Sequence, residues 1–178
     1  IGVNILPALK PRKLLVAVAP HAGRELTSHL LAELALRGPV TVLDSGNRLQ
    51  PYQIAHFLRR KTVQLTEAVE RISIRRAFTC YQTLALLEST EAQPHPYLLL
   101  DLLHSFYDEQ VSDREVRRLV GLCMREVRRL NQQAPLGILL APPIVEARTF
   151  LVEMVCEAAD ETYTPILPAN PAKQERLF

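Results

Sequence analysis

Two rhythms of apolar residues alternate along this chain. Short, nearly continuous apolar runs predict strands at Lys13 to Ala19 (KLLVAVA), Val40 to Leu43, Ile72 to Phe78, Tyr97 to Leu103 and Gly137 to Ala141. Pro20 and Gly23 close the first run, Asp44-Ser45-Gly46-Asn47 follows the second, and Pro142-Pro143 ends the fifth. Between them, apolar residues recur at helical spacing. Leu26 to Leu36 is a helix stopped by Gly38-Pro39, with Thr27 or Ser28 able to cap it. Pro51 suits a first helical position, and Tyr52 to Arg60 continue from it. Cys80 to Leu87, Ser112 to Gln133 and Val145 to Ala158 complete the set, with Ser112 and Glu115 spaced as a capping box.

Strands that alternate with helices, and that are apolar throughout rather than at every second residue, fit a parallel sheet covered on both faces. The expected fold is therefore α/β, a mostly parallel sheet of at least five strands flanked by helices. No linker, repeat or low-complexity segment divides residues 1–178, which read as one domain. From about residue 162 the pattern gives way to an irregular tail with three prolines, which offers an edge strand at Tyr163 to Leu167.

Composition narrows the function classes. Hydrophobic residues are 48% and charged residues 22%, enough for a core and ordinary for a globular protein. A net charge of +2 is too small to imply a nucleic-acid partner by itself. Cys80, Cys123 and Cys156 are odd in number and widely spaced, which argues against a disulfide framework or a zinc site and for a reducing, cytoplasmic setting. Every apolar run is interrupted before it could span a membrane, and Ile1 to Pro7 lack the pattern of a signal peptide.

In open α/β sheets, ligands bind beyond the carboxyl ends of the strands. The loop after the first run, Pro20 to Thr27, holds one glycine and no lysine, too little to cradle phosphates. The run Leu98-Leu99-Leu100-Asp101 has the form of a Walker B strand, whose Asp orients magnesium through water. His21, His95 and His104 fall in or near loops, on what the pattern suggests is one edge, without ligand spacing. No nucleophile elbow is present.

Taken in order, these segments resemble the RecA/RadA recombinase superfamily between Pro11 and Val145. Asp44-Ser45-Gly46-Asn47 stands where that family has Asp-Thr-Glu-Gly, and Gln50-Pro51-Tyr52-Gln53-Ile54 stands where it has an Arg-Pro-Glu-Arg-Ile-like stretch. Arg75-Arg76-Ala77-Phe78-Thr79, then Gln82 and Leu86-Leu87, are similar to its third strand and following helix. The Pro11-Arg12 lead-in and the strand ending in Asp101 before an arginine-rich helix fit as well. The resemblance implies a RecA-like P-loop ATPase core, with Asp101 and Gly23 at the same end of the sheet.

The departures imply that the ATPase is lost. In the phosphate loop Gly23 and Thr27 match, but Leu26 replaces the lysine, and Pro20 and Glu25 replace glycines. Glu25 would set negative charge beside phosphate oxygens. Gly46 replaces the glutamate that activates water, and Pro142-Pro143 replaces the sensor glutamine. Phosphoryl transfer depends on these groups. The expectation is no catalytic residue, no cofactor and no metal.

The longest helix offers a different chemistry. At 100° per residue, Arg114, Arg117, Arg118, Arg125, Arg128 and Arg129 share one third of its circumference, opposite an apolar face. Such a stripe is either an ordinary solvated face or a track for nucleic-acid phosphates, which Arg59-Arg60-Lys61 could extend. No aromatics interleave with it, so stacking on single-stranded bases is unsupported. Three roles stay open: a non-catalytic recombinase-like subunit in DNA repair or recombination, binding DNA weakly or assembling with an active recombinase or with itself; a diverged nucleotide-binding ATPase; or a structural protein–protein interaction domain.

Overall fold

The computed structural model describes residues 6–143 and 145–164. Six strands carry the apolar runs: β1 (Leu14–Val18), β2 (Val40–Asp44), β3 (Ile72–Arg76), β4 (Tyr97–Leu100), β5 (Leu136–Leu140) and β6 (Glu161–Tyr163). They form one sheet in the order β3-β2-β4-β5-β1-β6, and every pairing is parallel. Register is fixed by the core: Val16 and Leu99 both pair with Ile138.

Alternation across the pleat sends successive strand residues to opposite faces, and in the central strands both faces are dry. Leu14, Val16, Leu43, Leu99 and Ile138 join one cluster, under α4 (Cys80–Glu88), α5 (Asp113–Asn131) and α6 (Phe150–Ala158). Leu15, Ala17, Val42, Leu98 and Leu100 join another, under α1 (Arg24–Arg37), α2 (Pro51–Arg59) and α3 (Leu65–Glu70). The chain is thus a three-layer α/β/α sandwich, with an all-parallel six-stranded sheet. No helix among the described residues is long and apolar enough to cross a membrane.

Local differences from the sequence pattern have identifiable causes. Helix α1 begins at Arg24, before the expected Leu26, because Gly23 adopts a left-handed conformation (φ 58°) and serves as the N-cap. Neither Thr27 nor Ser28 caps it; both are buried, and the Ser28 hydroxyl donates to Gln53 Oε1 at 3.2 Å. The fourth strand stops at Leu100, so Leu102 and Leu103 are buried in a loop. Helix α3 was hidden by its single buried position, Ala68. The expected helix from Val145 is a 3-10 turn (Glu146–Arg148) followed by α6. The edge strand lies at Glu161–Tyr163, slightly upstream of the expected position, beside β1; residues 165–167 of that expectation lie outside the described residues. At α5 the Ser112 hydroxyl accepts from the Glu115 amide at 3.3 Å. The Glu115 carboxylate turns to Arg118 (2.7 and 2.9 Å) rather than back to the cap, so half the capping box forms.

Candidate functional site

An all-parallel sheet gathers the carboxyl ends of its strands on one rim, and Gly23, Asp44 and Asp101 all stand there. Strand β5 separates β1 from β4, so Gly23 and Asp101 share the rim one strand apart.

Asp101 is 1% exposed and carries a left-handed backbone (φ 50°) immediately after β4. Its amide donates to Leu139 O at 2.7 Å, which fixes the turn. Its Oδ2 accepts from Arg48 Nε at 2.7 Å, and its Oδ1 accepts from the Ala141 amide at 3.3 Å. His104 Nδ1 stands 3.8 Å from Oδ2. The carboxylate is thus neutralised from within by Arg48, whose side chain is 18% exposed.

Arg48 is positioned in turn by Asp44. That fully buried carboxylate accepts from the Arg48 amide at 2.9 Å and the Leu49 amide at 3.2 Å, while Arg76 Nε lies 3.8 Å away. Two buried carboxylates and two arginines therefore tie the ends of β2, β3 and β4 together. Gly46 sits inside this knot. A Cβ there would come 2.6 Å from Asp101 Cβ and 2.8 Å from Oδ2, so glycine is required by contact.

Beyond Asp101, a 3-10 turn (His104–Tyr107) buries the Tyr107 hydroxyl without a hydrogen-bond partner among the described residues. Burial, helped by the Asp101 charge, pushes its pKa well above the ordinary phenol value. Arg148, only 4% exposed, pins this segment by donating to Phe106 O (2.6 Å), Asp108 O (2.7 Å) and Val111 O.

The loop after β1 is compact. Pro20–Ala22 forms a 3-10 turn, closed by the Gly23 amide on Pro20 O at 3.0 Å, and α1 starts at once. Leu26 is half-buried against the α1–α3 core, Thr27 is buried, and Glu25 occupies the exposed first turn of α1. The histidines do not share an edge. His21 and His104 are at the carboxyl rim, whereas His95 precedes β4 at the amino end, where its Nε2 lies 2.7 Å from the Thr41 hydroxyl. Burial lowers the His95 pKa. No group of His, Cys, Asp or Glu that could hold a metal occurs among the described residues.

The arginine stripe lies on the outer face of α5, opposite Val116, Leu119, Val120, Cys123, Val127 and Leu130, all buried. Its members are not equivalent. Arg118 pairs with Glu115. Arg117 stacks its guanidinium 3.7 Å over the Phe150 ring, and Arg128 donates to Ala158 O; both bind α5 to α6. Arg129 is half-buried, not a surface arginine. It pairs with Glu126 at 2.6 Å and donates to Leu87 O and Thr90 O at 3.0 and 2.9 Å, capping the end of α4. Arg114, Arg117, Arg125 and Arg128 have no carboxylate within ion-pairing distance among the described residues.

Sequence reasoning placed Asp101, Gly23 and Gly46 at one rim. It missed Arg48, Asp44, Arg76 and Arg148 as its organisers. Asp44 carried a signal, since it ends an apolar run just as Asp101 does; Arg48 carried none, because its partner is 53 residues away. No protein-family model matches the chain, and no curated protein sequence matches it significantly.

Proposed function

We propose that this chain is a non-catalytic RecA-like protein, acting as a DNA-binding or assembly subunit in DNA repair or recombination. The observation that carries this reading is the Arg48–Asp101 ion pair. In an ATPase of this layout the strand-end Asp serves magnesium and its water, and here the Asp101 carboxylate accepts from a guanidinium of the chain itself. Two further features point the same way. A glutamate at Gly46 has no room for its Cβ beside Asp101. The loop after β1 closes on itself in a 3-10 turn, with Leu26 turned toward the core instead of a lysine toward phosphate.

DNA binding is supported by the four α5 arginines that lack a carboxylate partner. Four phosphate contacts would give a log–log salt slope of roughly −3 to −4. Fluorescence anisotropy with labelled duplex DNA at several salt concentrations tests this. The Arg114→Ala/Arg125→Ala variant should bind several-fold more weakly and with a shallower slope. Equal binding by the variant, or none by the native chain at low salt, reduces the stripe to a solvated face. Assembly would then lead, because Ile74 on β3, Phe78 just after it and Tyr81 on α4 are exposed large apolar side chains (43%, 69% and 54%) at this edge of the sheet.

A further inference from the structure

An open cleft lies at the opposite end of the sheet from Asp101. Its volume is about 430 Å³, and it is lined by Arg12, Arg128, Asn131 and Gln132. The placement follows from the fold. Arg12 precedes β1 by two residues, while Asn131 and Gln132 end α5 just before β5, the strand paired with β1.

Arg12 occupies an unusual backbone position. Lys10 to Lys13 form a tight turn closed by the Lys13 amide on Lys10 O at 3.3 Å, with Pro11 at its second corner and Arg12 at its third. There φ is 62°, a conformation that turns ordinarily give to glycine or asparagine. The Arg12 amide anchors it by donating to Asn131 O at 2.7 Å. The backbone thus accepts strain and sets an arginine at the mouth of the cleft, a combination associated with functional positions.

The cleft's charge is also one-sided. The Arg12 guanidinium has no ion pair or hydrogen bond among the described residues. The Arg128 guanidinium donates only to a neutral carbonyl, that of Ala158. The nearby acids are engaged: Glu161 pairs with Lys13 at 2.5 Å, and Asp160 accepts from the Leu14 amide at 2.7 Å. Asn131 spends its amide group on Ala134 O at 3.1 Å, which leaves the Gln132 carboxamide as a further donor. Two guanidinium forks with spare N–H groups, an amide and no lining carboxylate are the donor set that suits a tetrahedral oxyanion.

We propose that the Arg12–Arg128–Gln132 cleft binds a phosphate group, presented either by a nucleic-acid backbone or by a small phosphorylated compound. Arg128 belongs both to this cleft and to the arginine face of α5. The seat therefore stands at one end of that face, but its existence does not depend on DNA binding there.

The test uses inorganic pyrophosphate and amide NMR on the whole chain. Shifts should concentrate at Arg12, Lys13, Asn131 and Gln132 and saturate with a dissociation constant on the order of millimolar. Arg12→Asn keeps a residue that tolerates the left-handed backbone and removes no internal contact. It should weaken binding roughly tenfold, the loss expected for one charge-assisted contact. Arg114→Ala/Arg125→Ala, outside the cleft, should leave pyrophosphate binding unchanged, which separates this site from the α5 stripe. Competition by short duplex DNA assigns the phosphate to nucleic acid, and its absence assigns it to a small compound. Both outcomes uphold the phosphate seat. Shifts scattered over the surface, or unchanged affinity in Arg12→Asn, overturn it.

Discussion

Replacing Arg48 by Met keeps the side chain's length and apolar stem while removing the charge that faces Asp101. Asp101 would retain one acceptor contact, to the Ala141 amide at 3.3 Å, and a distant His104. At 1% exposure its carboxylate cannot turn to water. Breaking one partner of a buried pair costs about 3–5 kcal/mol, because the other charge is left uncompensated. The residual Ala141 contact and the 18% exposure of Arg48 place the expected loss near the lower bound, about 3 kcal/mol. At about 2–4 °C per kcal/mol for a domain of this size, the midpoint of thermal unfolding should fall by roughly 6–12 °C. Urea denaturation of the native chain, Arg48→Met, Asp101→Asn and the double variant closes a cycle. Asparagine keeps the acceptor for Ala141 and tolerates the left-handed backbone of Asp101. The double variant should therefore be more stable than Arg48→Met alone, with a coupling of at least about 2 kcal/mol. An Arg48→Met protein within about 0.5 kcal/mol of the native chain, the range of an ordinary surface change, would refute the reasoning.

Two further predictions concern the residues that hold the rim and the stripe. Gly46→Ala should destabilise the chain by about 1–3 kcal/mol in the same denaturation assay, since the new methyl must displace Asp101 or its own backbone. Arg129→Ala should cost about 1–2 kcal/mol, because Thr90 O loses its donor and Leu87 O keeps only backbone amides, whereas Arg125→Ala should stay within about 0.5 kcal/mol; equal effects would mean that Arg129 is as peripheral as helical periodicity alone suggests.

That contrast shows what could be read from sequence. Periodicity located the central strands well because β1, β2, β4 and β5 are buried on both faces, so their hydrophobic runs are nearly unbroken. It located α5 because one face is buried and the other is not, so apolar and charged residues separate at helical spacing. Periodicity could not tell Arg129 from Arg125. The two differ by what lies across from them, the carbonyl end of α4, and not by their angle on the helix. Arg148 was equally hidden: one buried arginine in a short 3-10 turn holds three carbonyls of a segment some 40 residues earlier. The start of α1 was misjudged because a left-handed Gly23 capped the helix before any Ser or Thr could. At the rim, Asp101 and Gly46 could be named from a family pattern, yet their mutual contact, and the arginine laid across them, exist only in three dimensions.

We propose that the carboxyl rim of this sheet serves no nucleotide. Titration calorimetry of the native chain with ATP and magnesium tests it most directly. No saturable heat is expected, because the loop after β1 presents a half-buried Leu26 and no lysine, and Asp101 is already paired with Arg48. Saturable binding with a micromolar dissociation constant, about −8 kcal/mol, would contradict it and establish a nucleotide-binding protein with an unfamiliar loop.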